Sequence, residues 1–116
     1  MKHDLEYCTV EPALEVLTGK WKISILYFLF QGTKRFSELQ NSIPNITKKM
    51  LTSQLRELEE QDIVRRVVYP VVPPKVEYSL SEYGYSVEPI LRAMHLWGMT
   101  HIKHIQLKRE IQKVQT

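Results

Sequence analysis

Apolar residues recur along most of the chain at the spacing of an α-helix. This pattern predicts four helices in the first half, at about residues 11–17, 20–30, 36–43 and 47–61. The second helix is apolar on nearly every side between Trp21 and Phe30, which predicts a central helix buried in the core. Gly32 follows it, in the position where glycine commonly ends a helix. Pro44 and Asn45 mark a turn between the third and fourth helices.

After the fourth helix the pattern changes to the alternation of a β-strand. Residues 64–69 and 75–80 predict the two strands of a hairpin, and Val76, Tyr78 and Leu80 share one face of the second strand. The first strand alternates less regularly, which leaves its two faces unassigned. Three prolines lie in the connecting loop. Because they stiffen the backbone and remove N–H donors, the loop should project without pairing as a sheet edge.

A long final helix is predicted from Ser81 to about Arg109, with Pro89 as a candidate kink. Its apolar stripe includes Leu91, Met94, Trp97, Ile102 and Ile105. At 1.5 Å per residue this helix would reach roughly 40 Å, which is longer than one small domain can cover. A second copy of the chain is therefore expected to cover the stripe, since most homo-oligomers have twofold symmetry.

Four helices, a hairpin and a final helix follow one another in the order of a winged helix-turn-helix. The sequence therefore predicts one domain, residues 1–116, that is mainly α-helical with a small β-hairpin. The helices on either side of Pro44 would form the helix-turn-helix, with residues 47–61 as the recognition helix. The proline-containing loop, at about residues 70–75, would form the wing.

The fourth helix has two contrasting sides. At 3.6 residues per turn, the buried side is predicted to hold Leu51, Leu55 and Leu58. The opposite side carries Lys49, Thr52, Ser53 and Arg56. Basic side chains lie in the first half of this helix and acidic side chains in the second, which is opposite to the order that the helix macrodipole favours. This order favours contact between the first half and an anion over a merely solvated face.

The charge distribution also favours a polyanionic partner. Residues 20–75 contain ten Lys or Arg and five acids, a net +5, which leaves −2 for the two ends because the whole chain is +3. The predicted contacts with double-stranded DNA are Lys34, Arg35, Lys48, Lys49, Thr52, Ser53, Arg56 and Lys75. Arg56 is suited to a base edge, whereas Lys34, Arg35, Lys48 and Lys75 are expected on phosphates.

Four segments also carry a resemblance to a known family: GKW at 19–21, RFSEL at 35–39, KMLTSQLRELE at 49–59 and YPVVPPKVEYSL at 69–80. From about Cys8 to Gly98 the chain resembles the HxlR family of winged helix-turn-helix transcriptional regulators. The resemblance implies a homodimer that binds operator DNA, with the terminal helices forming the dimer contact. Such a dimer would read an inverted-repeat operator. The departures from the family pattern are Thr9, Thr18, Asn45 and Asp62; the last two tolerate a left-handed backbone.

Cys8 is the one cysteine of the chain. Its position resembles that of the redox- or electrophile-sensing cysteine of some family members. A sensing thiol would be partly exposed and have a lowered pKa, which Lys2 or His3 could assist. The alternative is an inert cysteine buried at the dimer contact, since free cysteines are commonly buried. The sequence therefore leaves open whether the protein responds to a redox or small-molecule effector.

Other functional classes find less support. No glycine-rich phosphate loop, nucleophile elbow or paired-carboxylate motif is present, so neither catalysis nor a cofactor is expected. His95, His101 and His104 have no further ligand at metal-binding spacing and are expected as ordinary surface or interface residues. No apolar run could span a bilayer, and a single cysteine suits a reducing cytoplasm, so a cytoplasmic protein is expected. The remaining alternative is a winged-helix protein-interaction module, which would need apolar residues on the exposed side of the fourth helix.

Overall fold

The computed structural model describes residues 9–115. The helices are α1 (Val10–Leu17), α2 (Lys22–Phe30), α3 (Phe36–Ser42), α4 (Lys48–Glu60), a short 3-10 helix (Gly84–Val87) and α5 (Glu88–Gln115). The strands are β1 (Lys34–Arg35), β2 (Val64–Tyr69) and β3 (Lys75–Leu80). The chain divides into two compact units, one ending at Tyr85 and the other beginning at Ser86. The predicted order of helices and hairpin is confirmed, and the fold is a winged helix-turn-helix.

The sheet has three antiparallel strands in the order β1-β3-β2. The two predicted hairpin strands have the predicted bounds, and Val64 pairs with Leu80 at one end while Tyr69 pairs with Lys75 at the other. The third strand, β1, was not predicted, because two residues are too short to show a period. It pairs with β3 so that Lys34 lies opposite Tyr78. One strand of the sheet therefore precedes the helix-turn-helix in the sequence, and the other two follow it.

The core lies between the helices and one face of this sheet. Its fully buried side chains include Ile25, Leu26, Leu29, Leu39, Leu51, Leu55 and Leu58. The three leucines predicted for the buried side of α4 are thus confirmed. The prediction of a fully buried α2 was wrong for one side of that helix. Ile23 is 44% exposed and Tyr27, one turn later, is 59% exposed, so α2 keeps an apolar strip at the surface.

Polar residues shape both ends of α4. The side-chain oxygen of Thr47 accepts a hydrogen bond of 3.1 Å from the backbone N–H of Met50, which caps the start of the helix. Asn45 and Asp62 adopt the left-handed backbone that their departures from the family pattern require, with φ of 67° and 61°. The turns on both sides of α4 therefore form without glycine.

The turn after α4 is fastened to the end of β3. The Ser81 hydroxyl donates to the carbonyl oxygen of Asp62 at 2.5 Å, and the backbone N–H of Gly84 donates to the Ser81 oxygen at 2.8 Å. Gly84 packs so closely that a Cβ atom there would lie 2.2 Å from the carbonyl oxygen of Ile63. This junction fixes where β2 begins relative to α4.

The final helix starts later and ends later than predicted. It begins at Glu88 rather than Ser81, after the 3-10 helix, and it continues to Gln115. Pro89 lies in its first turn, where proline is tolerated, so the expected interior kink at this residue was wrong. Glu88 and Arg92 form an ion pair one turn apart. No α5 side chain is buried. Within the described residues no helix is long and apolar enough to cross a membrane.

Candidate nucleic-acid interface

The outward side of α4 brings together five of the predicted contact residues. Lys48, Lys49, Thr52, Ser53 and Arg56 line one continuous surface, which ends at two acids toward the C-terminus of the helix. This side is opposite the buried leucines, because α4 is amphipathic over its whole length. Lys48 and Lys49 occupy the first turn of the helix and Arg56 its third, while the carboxylates lie toward its C-terminal end. An anion can therefore approach the first half without meeting a like charge.

The two hydroxyls on this surface differ in their hydrogen bonds. The Thr52 hydroxyl donates to the carbonyl oxygen of Lys48 at 2.8 Å, within its own helix. The Ser53 side chain is exposed and, within residues 9–115, has no hydrogen-bond partner. Only Ser53 therefore has a hydroxyl donor free to meet a base or a phosphate.

The base of the wing contains an ion pair that the sequence analysis missed. The Lys75 Nζ atom lies 3.5 Å from Oε2 of Glu77 and 5.0 Å from the centre of the Tyr69 ring. A side-chain hydrogen bond with Glu77, and then the charge of that carboxylate, raise the pKa of the Tyr69 phenol above its ordinary value of 10.0. Lys75 is therefore half-buried and partly neutralised rather than a free cation.

Lys34 and Arg35, predicted as neighbouring phosphate contacts, lie on opposite faces of the sheet. Lys34 pairs with Tyr78 and Arg35 with Glu77, and consecutive strand residues point to opposite sides. The backbone N–H of Arg35 also donates to the Glu38 carboxylate at 2.9 Å, which caps the start of α3. The structure therefore does not bring these two side chains to one common surface.

Arg66 is a functional candidate that the sequence analysis did not find. It pairs with Tyr78 and so lies on the face of the sheet that packs toward the helices. There it lines a cleft between α4 and the sheet, which we call the α4–sheet cleft. The cleft is lined by Phe36, Lys48, Thr52, Arg56, Glu59, Arg66, Val76 and Tyr78. The predicted strand bounds, 64–69 and 75–80, pair Arg66 with Tyr78 when the strands are aligned end to end, and this pairing could have assigned the face.

A polar cluster joins α4 to the start of α2. The Lys22 side chain, 10% exposed, extends from the start of α2 to the Glu57 carboxylate. The Gln54 side-chain amide donates to the other oxygen of that carboxylate at 3.1 Å. A Cβ atom at Gly19 would meet both the Lys22 Nζ and the Gln54 Oε1, each at 3.6 Å. The turn before α2, the Lys22 ammonium and α4 are thus in contact.

The remaining candidates lie away from this surface. Of the predicted dimer residues, Leu91 and Ile105 are half-buried in the isolated chain, whereas Met94, Trp97 and Ile102 are exposed. The Trp97 ring stacks on the His101 ring with centroids 4.9 Å apart. Within the described residues no group of three or more His, Cys, Asp or Glu side chains could hold a metal ion. Cys8 lies outside the described residues, so the structure does not place it.

Comparison with known proteins agrees with this geometry. A family model described as HxlR-like helix-turn-helix matches residues 16–106. The chain belongs to the HxlR family. Membership places it among helix-turn-helix transcriptional regulators, a class of DNA-binding proteins and not of enzymes. The chain is 57% identical over 97 residues to the HTH-type transcriptional regulator YtcD of Bacillus subtilis strain 168, a match that covers 84% of this chain and 77% of YtcD.

Solved structures of relatives share most of the fold. A crystal structure of an HTH-type transcriptional regulator ytcD matches with a TM-score of 0.78 and 58% identity, and covers 81% of this chain and 96% of that one. The reduced form of the redox regulator HypR matches with a TM-score of 0.79 and 49% identity, and covers 84% of this chain and 96% of that one. HypR is also known in an oxidised form. The winged-helix fold is therefore shared with regulators of this family.

Proposed function

We propose that the protein is a sequence-specific DNA-binding regulator that places α4 in the major groove and the wing, about residues 70–75, on the flanking backbone or minor groove. The observation that carries this proposal is the outward side of α4, where two lysines and a free hydroxyl occupy the first half of the helix and Arg56 follows one turn later on the same side. A recognition helix enters the groove by that half. Arg56 can donate two hydrogen bonds to guanine, and Ser53 can meet a base edge or a phosphate.

A protein-interaction module is the alternative, and the same surface argues against it. Such a module would need a contiguous apolar patch, because protein interfaces bury aromatic and aliphatic side chains at their centre. Met50 is the one large apolar residue of α4 that is exposed. It is a single side chain beside several cations, which is too little for a hydrophobic interface. DNA therefore fits this surface better than a protein does.

The test is binding to duplexes selected by the protein from a random-sequence pool, measured by fluorescence anisotropy. Arg56→Ala should reduce the preference for the selected sequence by about 1–3 kcal/mol per base pair that Arg56 reads. Arg92→Ala, which removes an exposed arginine from α5, is the matched control and should leave that preference unchanged. A wild-type protein with no duplex affinity at low salt would refute the proposal.

Lys75 is proposed as a phosphate contact whose strength is limited by Glu77. Lys75→Ala should weaken binding to all duplexes to a similar extent and reduce the slope of log affinity against log salt by about one. Glu77→Gln should act in the opposite direction, because it removes the carboxylate that lies 3.5 Å from the lysine. If neither change altered the salt dependence, the wing base would have no phosphate contact.

We further propose that the protein is a homodimer formed through its terminal helices, which binds an inverted-repeat operator. In support, α5 has 28 residues, about 42 Å in length, and exposes Met94, Trp97 and Ile102 along one stripe. Trp97 alone is 66% exposed, which is unusual for a tryptophan in a stable monomer. A second copy would cover this stripe and would set two copies of α4 about one DNA turn apart.

Two variants of equal charge change test the dimer. Trp97→Glu should convert the protein to monomers in analytical ultracentrifugation and abolish binding to the inverted repeat. Leu96→Glu adds the same charge one residue earlier, at an exposed apolar position on the side of α5 away from the stripe, and should leave the dimer intact. Circular dichroism of both variants reports whether the winged unit stays folded. A wild-type protein that sediments as a monomer at micromolar concentration would refute the dimer.

Cys8 is proposed as a redox-responsive residue. HypR, with which this chain shares 49% identity, is a redox regulator with both a reduced and an oxidised structure. Since Cys8 is the one cysteine of this sequence, any disulfide it forms must join it to another molecule. Oxidation would then link two copies or attach a small thiol.

Treatment with diamide, a two-electron oxidant of thiols, with and without added glutathione as the small thiol, tests this proposal. Diamide should change the operator affinity of the wild type and have no effect on Cys8→Ser. Non-reducing gel electrophoresis then separates the two outcomes, since a linked dimer doubles the mass and a small-thiol adduct does not. Equal responses of the wild type and Cys8→Ser would assign Cys8 to a purely structural role.

A further inference from the structure

We propose that Arg66 binds a backbone phosphate of DNA within the α4–sheet cleft, so that the cleft holds the DNA strand that runs beside α4. This inference rests on the proposed DNA-binding function. It adds a residue of β2, outside both the recognition helix and the wing, to the contact surface. It also assigns the contact to the phosphate rather than to a base.

The sheet register places Arg66 in the cleft. Arg66 pairs with Tyr78 of β3, and Tyr78 is buried against the helices, so the Arg66 side chain rises from the same face of the sheet. The apolar floor there is formed by Phe36, Val76 and Tyr78. Such a floor supports the methylene stem of an arginine while its guanidinium reaches solvent.

The charges in the cleft favour an anion. Lys48, Arg56 and Arg66 line it together with one acid, Glu59. Within residues 9–115 none of the three cations forms an ion pair with a carboxylate, because the pairs found there involve Lys22, Lys75 and Arg92. Three unpaired cations that converge on one cleft repel one another, and a phosphate would relieve that repulsion.

The dimensions of DNA indicate which of its groups fills the cleft. An α-helix with its side chains is about 10–12 Å across, and the major groove of B-DNA is about 12 Å wide. A helix that lies in the groove therefore occupies its full width, and the sugar-phosphate backbones run along the flanks of the helix. Arg66 lies on the flank of α4 rather than on its outward side. A phosphate is therefore the group that it meets.

Arg65 is a natural control, because it has the same chemistry one residue earlier. Arg65 pairs with Ser79 and faces the other side of the sheet. It lines a different depression, in which Asp62 and Glu82 are the charged neighbours. The two adjacent arginines therefore lie in opposite electrostatic surroundings, and only Arg66 is proposed to contact DNA.

The experiment compares Arg66→Ala, Arg66→Gln and Arg65→Ala in anisotropy titrations against a selected duplex and a scrambled one, over a range of salt concentrations. Both Arg66 variants should weaken binding to both duplexes by a similar factor, roughly tenfold, and reduce the salt slope by about one. Arg65→Ala should leave the affinity and the slope at wild-type values. Glu59→Gln should strengthen binding to both duplexes, since it removes the one acid of the cleft.

The outcomes separate this inference from the function on which it rests. If the wild type binds the selected duplex but Arg66→Gln equals the wild type, or equals Arg65→Ala, the inference fails and the proposed function stands. Loss of discrimination between the two duplexes in Arg66→Gln would also overturn it, because the contact would then be to a base. A wild type that binds neither duplex would end the proposed function. Arg66→Gln preserves the side-chain stem over the apolar floor, so it tests the charge without disturbing the packing.

Discussion

The Nζ atom of Lys22 lies 3.4 Å from Oε1 of Glu57, which joins the start of α2 to the middle of α4. The ammonium is nearly buried, whereas the carboxylate is 50% exposed and can also be hydrated. Because a buried charge requires a partner, the position of α4 is linked to the turn that contains Gly19. The helix proposed to contact DNA is thus fastened to the N-terminal part of the fold as well as to the core.

This ion pair predicts that removing Glu57 from α4 destabilises the protein more than removing Glu60. Glu57→Ala should lower the free energy of unfolding by about 1–2 kcal/mol, because it leaves the Lys22 ammonium without its carboxylate. Glu60→Ala, one turn further along the helix, removes an exposed acid and should cost less than about 0.5 kcal/mol. Urea denaturation measures both changes. Equal losses would show that the Lys22–Glu57 pair contributes nothing to stability.

Gly84→Ala is predicted to destabilise the winged unit by about 1–3 kcal/mol or more, because its Cβ would lie 2.2 Å from the Ile63 carbonyl oxygen. Gly98→Ala is the comparison, made in the monomeric Trp97→Glu background because Gly98 lies inside the proposed dimer stripe. No atom of the chain lies within 4 Å of a Cβ there, so in this helix interior the change should gain about 0.5–1 kcal/mol. Thermal unfolding gives both values. Equal effects of the two substitutions would contradict the close contact at Gly84.

The Tyr69 phenol should titrate above pH 10.0, because Glu77 raises its pKa. A raised pKa means that the stabilisation from this hydrogen bond is fully present below pH 10 and is lost as the pH rises through the folded-state pKa. Glu77→Gln should shift the titration back toward 10.0. Tyrosine absorbance near 295 nm, with Tyr69→Phe to identify the transition, follows this change. A Tyr69 pKa unaffected by Glu77→Gln would contradict the assignment.

Ser53 and Thr52, adjacent hydroxyls on α4, should differ in their effect on DNA binding. Thr52→Val keeps the shape and removes a hydroxyl whose proton is already donated to Lys48, so affinity for the selected duplex should change little. Ser53→Ala removes a free hydroxyl and should cost about 1 kcal/mol of binding free energy. Anisotropy titrations of the two single variants decide between them. The reverse order of effects would place Thr52, not Ser53, at the DNA.

The sequence predicted those elements whose apolar residues repeat over several turns or strand positions. Helix α4 and strand β3 were found because Leu51, Leu55 and Leu58, and Val76, Tyr78 and Leu80, repeat regularly over their length. The less regular β2 was found as the partner of β3 across the proline-containing loop. The outward side of α4 followed directly, since it is opposite the leucines. Strand β1 could not be found, because its residues become a strand only by pairing with β3.

Contacts distant in sequence account for the other differences. The Lys75–Glu77 pair and the separation of Lys34 from Arg35 depend on the register of β3 with its neighbours. The exposed strip at Ile23 and Tyr27 could not be predicted from a helix that is apolar on every side. Helix α5 extends beyond Arg109 through residues that have no clear period, and it exposes Leu96, Leu107 and Val114 on the side away from the predicted stripe.

The junction between α4 and β2 consists of three residues, 61–63. Its length decides which side chains of β2 face the core, because a shift of one residue moves every strand side chain to the other face of the sheet. Deleting one residue there while α4 stays in place would slide β2 along β3 by one residue, so that Arg65 takes the buried place of Val64 and Val67 the place of Arg66. One deletion would thus put a charge in the core and remove a cation from the cleft. Substitutions at Gln61 or Ile63 keep the length of the junction and therefore leave the faces of β2 unchanged. A designer who grafts a new recognition helix onto this scaffold can therefore change the residues of the junction but must keep their number.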